Sequence, residues 1–280
     1  MKKFILFFFM VYAAAFSYAQ TKQRNDSDLS HFSSLSSDSV TKSIQVQDSS
    51  YNLYHKNLQQ NNYYKFKYKQ LILPVTLIGI GTMGLKNHWL KYQNREIKDE
   101  LTENINRKTT IDNFSQYAPM AAVYGLNLIG IHGYHNFADR TIILSTSYLI
   151  MGIAVNSIKR FAKEERPDGS NNQSFPSGHA ATVFMGAEFL WQEYKNVSPW
   201  IGIAGYTIAA GTGFLRMYNN KHWFTDIVAG AGFGILSTKM AYWLYPTIKT
   251  TFFRGKHLKN VTALPYYNIK SAGIYCNINF

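Results

Sequence analysis

Six apolar stretches frame this chain: 70–85, 117–131, 141–158, 180–191, 199–215 and 227–245. None alternates apolar and polar residues with the period of two that a half-buried strand needs, and each outruns an ordinary strand, so each predicts a helix. Gly79, Gly81 and Gly84, and again Gly230, Gly232 and Gly234, are spaced to let helices approach closely. The pattern predicts an all-α fold, a bundle of about six core helices over 70–250. Between the first two stretches, 86–116 is charged and amide-rich, with Glu96, Lys98, Asp99 and Glu100 giving way to Asp112 and Asn113. An exposed helix with its loop is the expectation there, ahead of a lid. Beyond Pro246 the character changes. Ile274, Cys276, Ile278 and Phe280 alternate with other residues close to Gly273, which predicts a small β-hairpin within the tail 251–280.

The N-terminal quarter is of another kind. Lys2 and Lys3, the apolar run from Phe4 to Phe16, and the small residues Ser17 and Ala19 read as a secretory signal over 1–19. The segment from Gln20 to Ser50 is rich in Ser, Asp, Gln and Thr, and buries too little apolar surface to offset its ordering entropy, so a disordered linker is expected. Tyr51 to Lys69, dense in Tyr, Asn and Lys, reads as an amphipathic segment on the domain or on a membrane surface, completing a region over 20–69. Cys276 is the sole cysteine, so no intrachain disulfide forms even in an exported chain.

Composition narrows the partners. The apolar fraction, 46%, is ordinary for a folded chain, and the net charge of +13 admits nucleic acid, an anionic membrane or an anionic substrate. That charge is spread over many loops without a nucleic-acid motif, which favours the membrane and the substrate. Crossing a bilayer takes about twenty apolar residues. The stretches 141–158 and 199–215 approach that length, whereas Glu188 and Lys239 argue against lipid exposure where they stand. Membrane association is expected, with a soluble periplasmic bundle as the alternative. His132, His135 and Asp139 share a polar turn, where solvated side chains are the expectation rather than a metal site.

The candidate chemistry sits in three polar clusters between the apolar stretches. The first is Lys159, six residues, Arg166 and Pro167; the second is Pro176-Ser177-Gly178-His179; the third is Arg216, five residues, His222, three residues, Asp226. A phosphoryl group in transfer carries negative charge on three equatorial oxygens and needs fixed positive charge around them. Lys159, Arg166 and Arg216 can supply it, arginine as a planar fork and lysine as a point charge. Ser177 reads as the cap of the helix that follows, and Gly178 lets backbone approach a ligand, so free N–H groups would face an anion there. His222 and Asp226 are four apart, which on a helix places them on one face, where the carboxylate fixes the imidazole tautomer. No glycine-rich nucleotide loop and no carboxylate cluster with metal-ligand spacing appears, so the chain implies no metal or other cofactor.

Together these clusters resemble the motifs of the type 2 phosphatidic acid phosphatase and vanadium haloperoxidase superfamily, over about residues 117–248. One position departs, Leu215 standing where the family pattern has serine. The resemblance implies a metal-independent phosphoric ester hydrolase acting on a phosphomonoester or diphosphate, with a lipid phosphate as the expected substrate. It implies that His222 attacks phosphorus to give a phosphohistidine, that Asp226 supports it, and that His179 protonates the leaving oxygen and then serves as base for water. It implies that Lys159, Arg166, Arg216, Ser177 and Gly178 bind the phosphate. It also implies an exported site facing the periplasm. Other readings of the same pocket are a soluble periplasmic acid phosphatase, a vanadate-dependent haloperoxidase and a non-catalytic protein that binds anionic lipid. A cleaved signal followed by six crossings would leave the 159–166 loop in the cytosol, so the outer-face expectation needs either 70–85 not to cross or a bundle that does not span.

Overall fold

The computed structural model describes residues 66–103, 108–252, 261–268 and 271–278. The expected signal and nearly all of the linker and amphipathic segment lie outside them. In chain order the helices are α1 (Lys69–Met83), α2 (His88–Thr102), α3 (Ile111–Ser115), α4 (Ala118–Leu128), α5 (Phe137–Ala162), α6 (Gly178–Tyr194), α7 (Pro199–Tyr218) and α8 (Phe224–Phe252). The fold is an all-α bundle in which each apolar stretch maps onto one core helix. Residues 261–268 and 271–278 pair antiparallel as β1 (Val261–Asn268) and β2 (Ser271–Ile278), with Val261 opposite Ile278 and Asn268 opposite Ser271.

Local chemistry explains most of the helix ends. Asn87 starts α2 by accepting from the Leu90 amide at 3.1 Å, and Asn136 starts α5 by accepting from the Asp139 amide at 2.8 Å. Proline stands in the first turn of α4 and of α7, where its missing N–H costs no helical bond. Lys159 and Arg160 lie in the last turn of α5, favourable against the negative end of the helix dipole, and the helix stops where Lys163 turns left-handed at φ 46°. Pro246 does not end α8, which continues to Phe252.

Helix α6 is central, packed against α4, α5, α7 and α8. It runs parallel to α8 at very close range. A Cβ on Gly230 would stand 2.5 Å from the Ser177 carbonyl oxygen, and one on Gly234 would run into the Ala181 carbonyl. Helix α1 lies antiparallel along the other side of α8: Phe66 and Gln70 meet Trp243, Gly232 faces Pro74 and Ile78, and Gly81 lies against Ala229. The apolar core between α4, α5, α6 and α8 includes Val123, Ile143, Met185, Phe189 and Tyr242.

This threading gives the bundle two unlike ends. The C-termini of α1, α5 and α7 and the N-termini of α4, α6 and α8 gather at one end, together with α2 and α3. At the other end α6 finishes in a buried polar cluster. Glu193 accepts from His135 Nδ1 at 2.6 Å, from the His135 amide at 3.0 Å and from the Tyr242 hydroxyl at 2.6 Å, while Arg140 donates to the His135 carbonyl and to Asn127 at 2.9 Å. His135 is therefore a buried core group and not a solvated turn residue; the Glu193 carboxylate needs donors in a place water does not reach. Asp139 meets Lys249 at 2.9 Å instead. Glu188 and Lys239 form a second interior pair at 2.6 Å between α6 and α8, with Tyr206 of α7 also donating to Glu188, which keeps both charges off the outer surface.

Because backbone lies directly opposite Gly234, the substitution Gly234→Ala is expected to part α6 from α8 and cost about 1–3 kcal/mol. Gly211→Ala, where nothing lies within 4 Å of the added carbon, is expected to leave stability unchanged or raise it by up to about 1 kcal/mol through helix propensity. Thermal midpoints of the two purified variants check this.

Candidate active site

All three sequence clusters lie at the end of the bundle where α6 and α8 begin. Ser177 caps α6, its hydroxyl facing the Ala180 amide at 3.4 Å, and is entered through a cis Phe175–Pro176 peptide. The Ser177 amide donates to the Asp226 carbonyl at 3.0 Å, which fastens the start of α6 to the first turn of α8. Gly178 opens α6 with space around its Cα, and His179 follows in the first turn.

His222 lies outside the helix that carries Asp226. Helix α8 starts at Phe224, and Asp226, its third residue, turns back so that Oδ2 accepts the Trp223 amide at 2.9 Å, an N-terminal capping arrangement. That turn, and not helical spacing, brings the carboxylate toward His222 Nδ1, at 3.5 Å. A tighter partner comes from Ser174, whose hydroxyl donates to Asp226 Oδ2 at 2.5 Å and lies 3.5 Å from His222 Nδ1. With Nδ1 turned toward Ser174 and Asp226, Nε2 is the ring nitrogen left for other chemistry. Burial holds the His222 imidazole well below the ordinary histidine value, and the charges of Arg216, Lys159 and Arg166 push it the same way. The pocket histidine is therefore neutral at neutral pH.

Three cations surround it. Lys159 Nζ donates to the Gln173 carbonyl at 2.7 Å, just before Ser174. Arg216 is buried, donating through Nη1 to Asp112 Oδ2 at 2.5 Å, and Asp112 Oδ1 accepts from Asn219 at 3.0 Å. Arg166 sits in a loop closed by the bond from its amide to the Asn171 carbonyl at 3.0 Å. The buried Nε atoms of Arg166 and Arg216 have no hydrogen-bond acceptor among the described residues. A buried donor left unpaired costs about 1–3 kcal/mol, which an oxyanion reaching both would recover.

The segment 86–116 is more than an exposed helix with its loop. Asn94 of α2 is buried, donating to Thr225 Oγ1 at 2.9 Å and accepting the Thr225 amide at 3.3 Å, which holds α2 over the start of α8. From α3, Asp112 pairs with Arg216, and Asn113 Oδ1 lies 3.1 Å from His179 Nε2. Sequence reasoning missed Asp112, Asn113, Asn94 and Ser174 as site residues. Only Ser174, two residues before Pro176, stands close enough to a motif to have been found. Among the described residues no group of three or more His, Cys, Asp and Glu side chains is placed to hold a metal ion.

Residues 140–249 match the sequence profile of the PAP2 superfamily. Over 137 residues the chain is 39% identical to the Lipid A 1-phosphatase of Porphyromonas gingivalis, an alignment that covers 49% of this chain and 31% of that relative's length. Among solved structures, LpxE of Aquifex aeolicus is 22% identical, covering 53% of this chain and 94% of its own, with a TM-score of 0.41. The transmembrane PAP2 type phosphatidylglycerolphosphate phosphatase from Bacillus subtilis is 18% identical, covering 66% and 99%, with a TM-score of 0.42.

One ion pair supports the loop that presents Arg166. Lys221, beside His222, meets Asp168 at 2.6 Å. Burial pushes the Asp168 carboxyl up, but hydrogen bonds from Lys221 and Ser170 outweigh it and hold the group below the ordinary carboxylate value. A depressed carboxylate contributes stability that is present above its unfolded pKa and lost as pH falls through the folded one. Asp168→Asn is thus expected to lower stability by about 0.5–1 kcal/mol at pH 7. The gap from the unsubstituted protein should begin to narrow below about pH 4, near the unfolded carboxylate value, and close only as pH falls through the lower folded value. Paired melting curves at the two pH values check it.

Proposed function

Since residues 140–249 form a PAP2 superfamily domain, we propose that this chain is a lipid phosphatase, hydrolysing a phosphate ester through a phosphohistidine. The observation that carries the reading is the pair of buried guanidinium nitrogens, Arg166 Nε and Arg216 Nε, left without acceptors among the described residues, beside a buried neutral imidazole. The substrate phosphate takes its place among Lys159, Arg166, Arg216 and the N–H groups at the start of α6 around Ser177 and Gly178, so the charge that builds on its equatorial oxygens meets donors already in position.

His222 Nε2 attacks phosphorus, and the bond to the ester oxygen breaks as the P–N bond forms. His179 gives its proton to the departing oxygen, so the lipid alcohol leaves neutral. The ring of His222, now cationic, is steadied through Nδ1 by Asp226 and Ser174. Water then attacks phosphorus as His179 takes its proton. Inorganic phosphate leaves, and His222 returns to its neutral state.

A lipid substrate fits the surface around the site. Trp89 and Tyr92 of α2, Phe114 of α3, Tyr117 and Phe161 are all exposed at the end that carries the site, the side chains expected where apolar and aqueous phases meet. Helices α5 and α8 are long and apolar enough to cross a membrane by length and composition, and α5 keeps little of its apolar length buried. The activity named for the P. gingivalis relative makes lipid A 1-phosphate the first substrate to test, ahead of phosphatidic acid, phosphatidylglycerol phosphate and a soluble monoester.

His222→Ala is expected to lower turnover by about 10³-fold or more without moving the melting midpoint, and to abolish the acid-labile phosphoenzyme trapped from the wild type with labelled substrate. Vanadate should inhibit competitively. Near-normal turnover by His222→Ala contradicts the nucleophile assignment.

Sidedness has its own test, in a Cys276→Ser background. Ser170→Cys lies at the site end and Asn196→Cys, between α6 and α7, at the other. For a spanning bundle with its site in the periplasm, an impermeant thiol reagent labels the first and spares the second in spheroplasts. The reverse pattern puts the site in the cytosol, and labelling of both rules out a spanning bundle.

A further inference from the structure

We propose that Asn113 is a positioning residue that fixes the tautomer of His179, holding the proton on Nε2 and leaving Nδ1 to exchange protons with substrate and water. The inference rests on the reading of His179 as the general acid and base and adds the group that governs it. Asn113 Oδ1 lies 3.1 Å from His179 Nε2. A neutral imidazole carries one N–H, and the nitrogen that faces an acceptor is the one that keeps it. With Nε2–H given to the Asn113 amide oxygen, the Nδ1 lone pair is the basic site. After protonation Nδ1–H is the acid.

The geometry that makes Asn113 suited to this role is the rigidity of its support. Its own carbonyl accepts from Gln116 Nε2 at 2.8 Å. The residue before it, Asp112, is clamped by Arg216 and Asn219, and Asn219 is also bonded to both the amide and the carbonyl of Thr109, at 3.0 and 2.8 Å. One short helix therefore sets both the acid–base imidazole and a phosphate-facing guanidinium, through adjacent residues. An amide also suits the place chemically. The charged and titratable groups around that ring are Arg216, Asp112, His222 and Arg166; Asp112 is already committed to Arg216, and an amide oxygen orients the imidazole without adding a second carboxylate beside it.

The test is a set of variants assayed on one phosphate ester over a range of pH. Asn113→Ala is expected to lower kcat roughly 10- to 100-fold with KM little changed, since an orienting contact is lost and a phosphate contact is not. Asn113→Asp should recover most of kcat at high pH while moving the acidic limb of the kcat profile up by about one unit or more, because a carboxylate favours the protonated ring and the base step needs it deprotonated. In a His179→Ala background, Asn113→Ala should cost nothing further. If Asn113→Ala fails to fold, the Asn113→Asp profile and the imidazole ¹⁵N shifts of His179 in the wild type decide the matter, an Nδ1–H tautomer overturning the proposal. Unchanged kcat and an unshifted pH profile in both Asn113 variants, with His179→Ala inactive, would sink the positioning role alone. Normal turnover by His179→Ala would instead remove the acid–base reading beneath it.

Discussion

The hydrogen bond from the Ser177 amide to the Asp226 carbonyl, 3.0 Å long, joins two helix N-termini that carry different motifs, and the chemistry proposed here requires that they meet. It forms because α6 and α8 lie almost in backbone contact, which Gly230 and Gly234 permit and a Cβ at either position would prevent. Parallel helices this close point their N-terminal N–H groups and their positive dipole ends the same way. The spot where α6 and α8 start is thus locally electropositive before any side-chain charge is added, beside the C-termini of α1, α5 and α7 at the same end. Lys159 arrives there from the C-terminus of α5 and Arg216 from that of α7, as alternating helix directions dictate.

Gathering that much positive charge in a buried place carries a cost, and the structure offsets it unevenly. Arg216 has a full carboxylate partner in Asp112, whereas Lys159 has only a main-chain carbonyl and Arg166 Nε and Arg216 Nε have no acceptor among the described residues. Burial, reinforced by the field of the three cations, keeps His222 neutral, which is the form a nucleophile needs. The nearest carboxylate, Asp226, is engaged chiefly with Ser174 and the Trp223 amide, so it serves the fold of the turn as much as the ring it faces. Leu215, where the motif this stretch resembles has serine, places an apolar side chain next to Arg216 and takes part in none of these contacts.

The other end of the bundle shows what buried charge looks like once it has been neutralised. Glu193 has three donors and Glu188 has a lysine, an amide and a phenol, so neither is left waiting for a ligand. The contrast between the two ends of α6, polar groups saturated at one and left short of acceptors at the other, is a physical reason for placing the site where the motifs lie.

By itself the sequence determined the six core helices, their approximate limits and the identity of the cations and imidazoles, because the length of an apolar run, its lack of strand alternation and fixed motif spacing are local properties. It did not determine that 86–116 would reach into the site. Asp112 and Asn113 share no spacing with any motif, and their partners Arg216 and His179 lie 104 and 66 residues away. The turn His135 looked solvated for the same reason, since its partner Glu193 is 58 residues further on. Even the pair His222 and Asp226, four apart, meets through a capping turn at the start of α8 and not along a helix face. Tertiary structure alone decided which of several polar residues face one another, because that follows from how α3, α6, α7 and α8 pack, and packing is settled by glycine contacts and buried hydrogen bonds between segments distant in the chain.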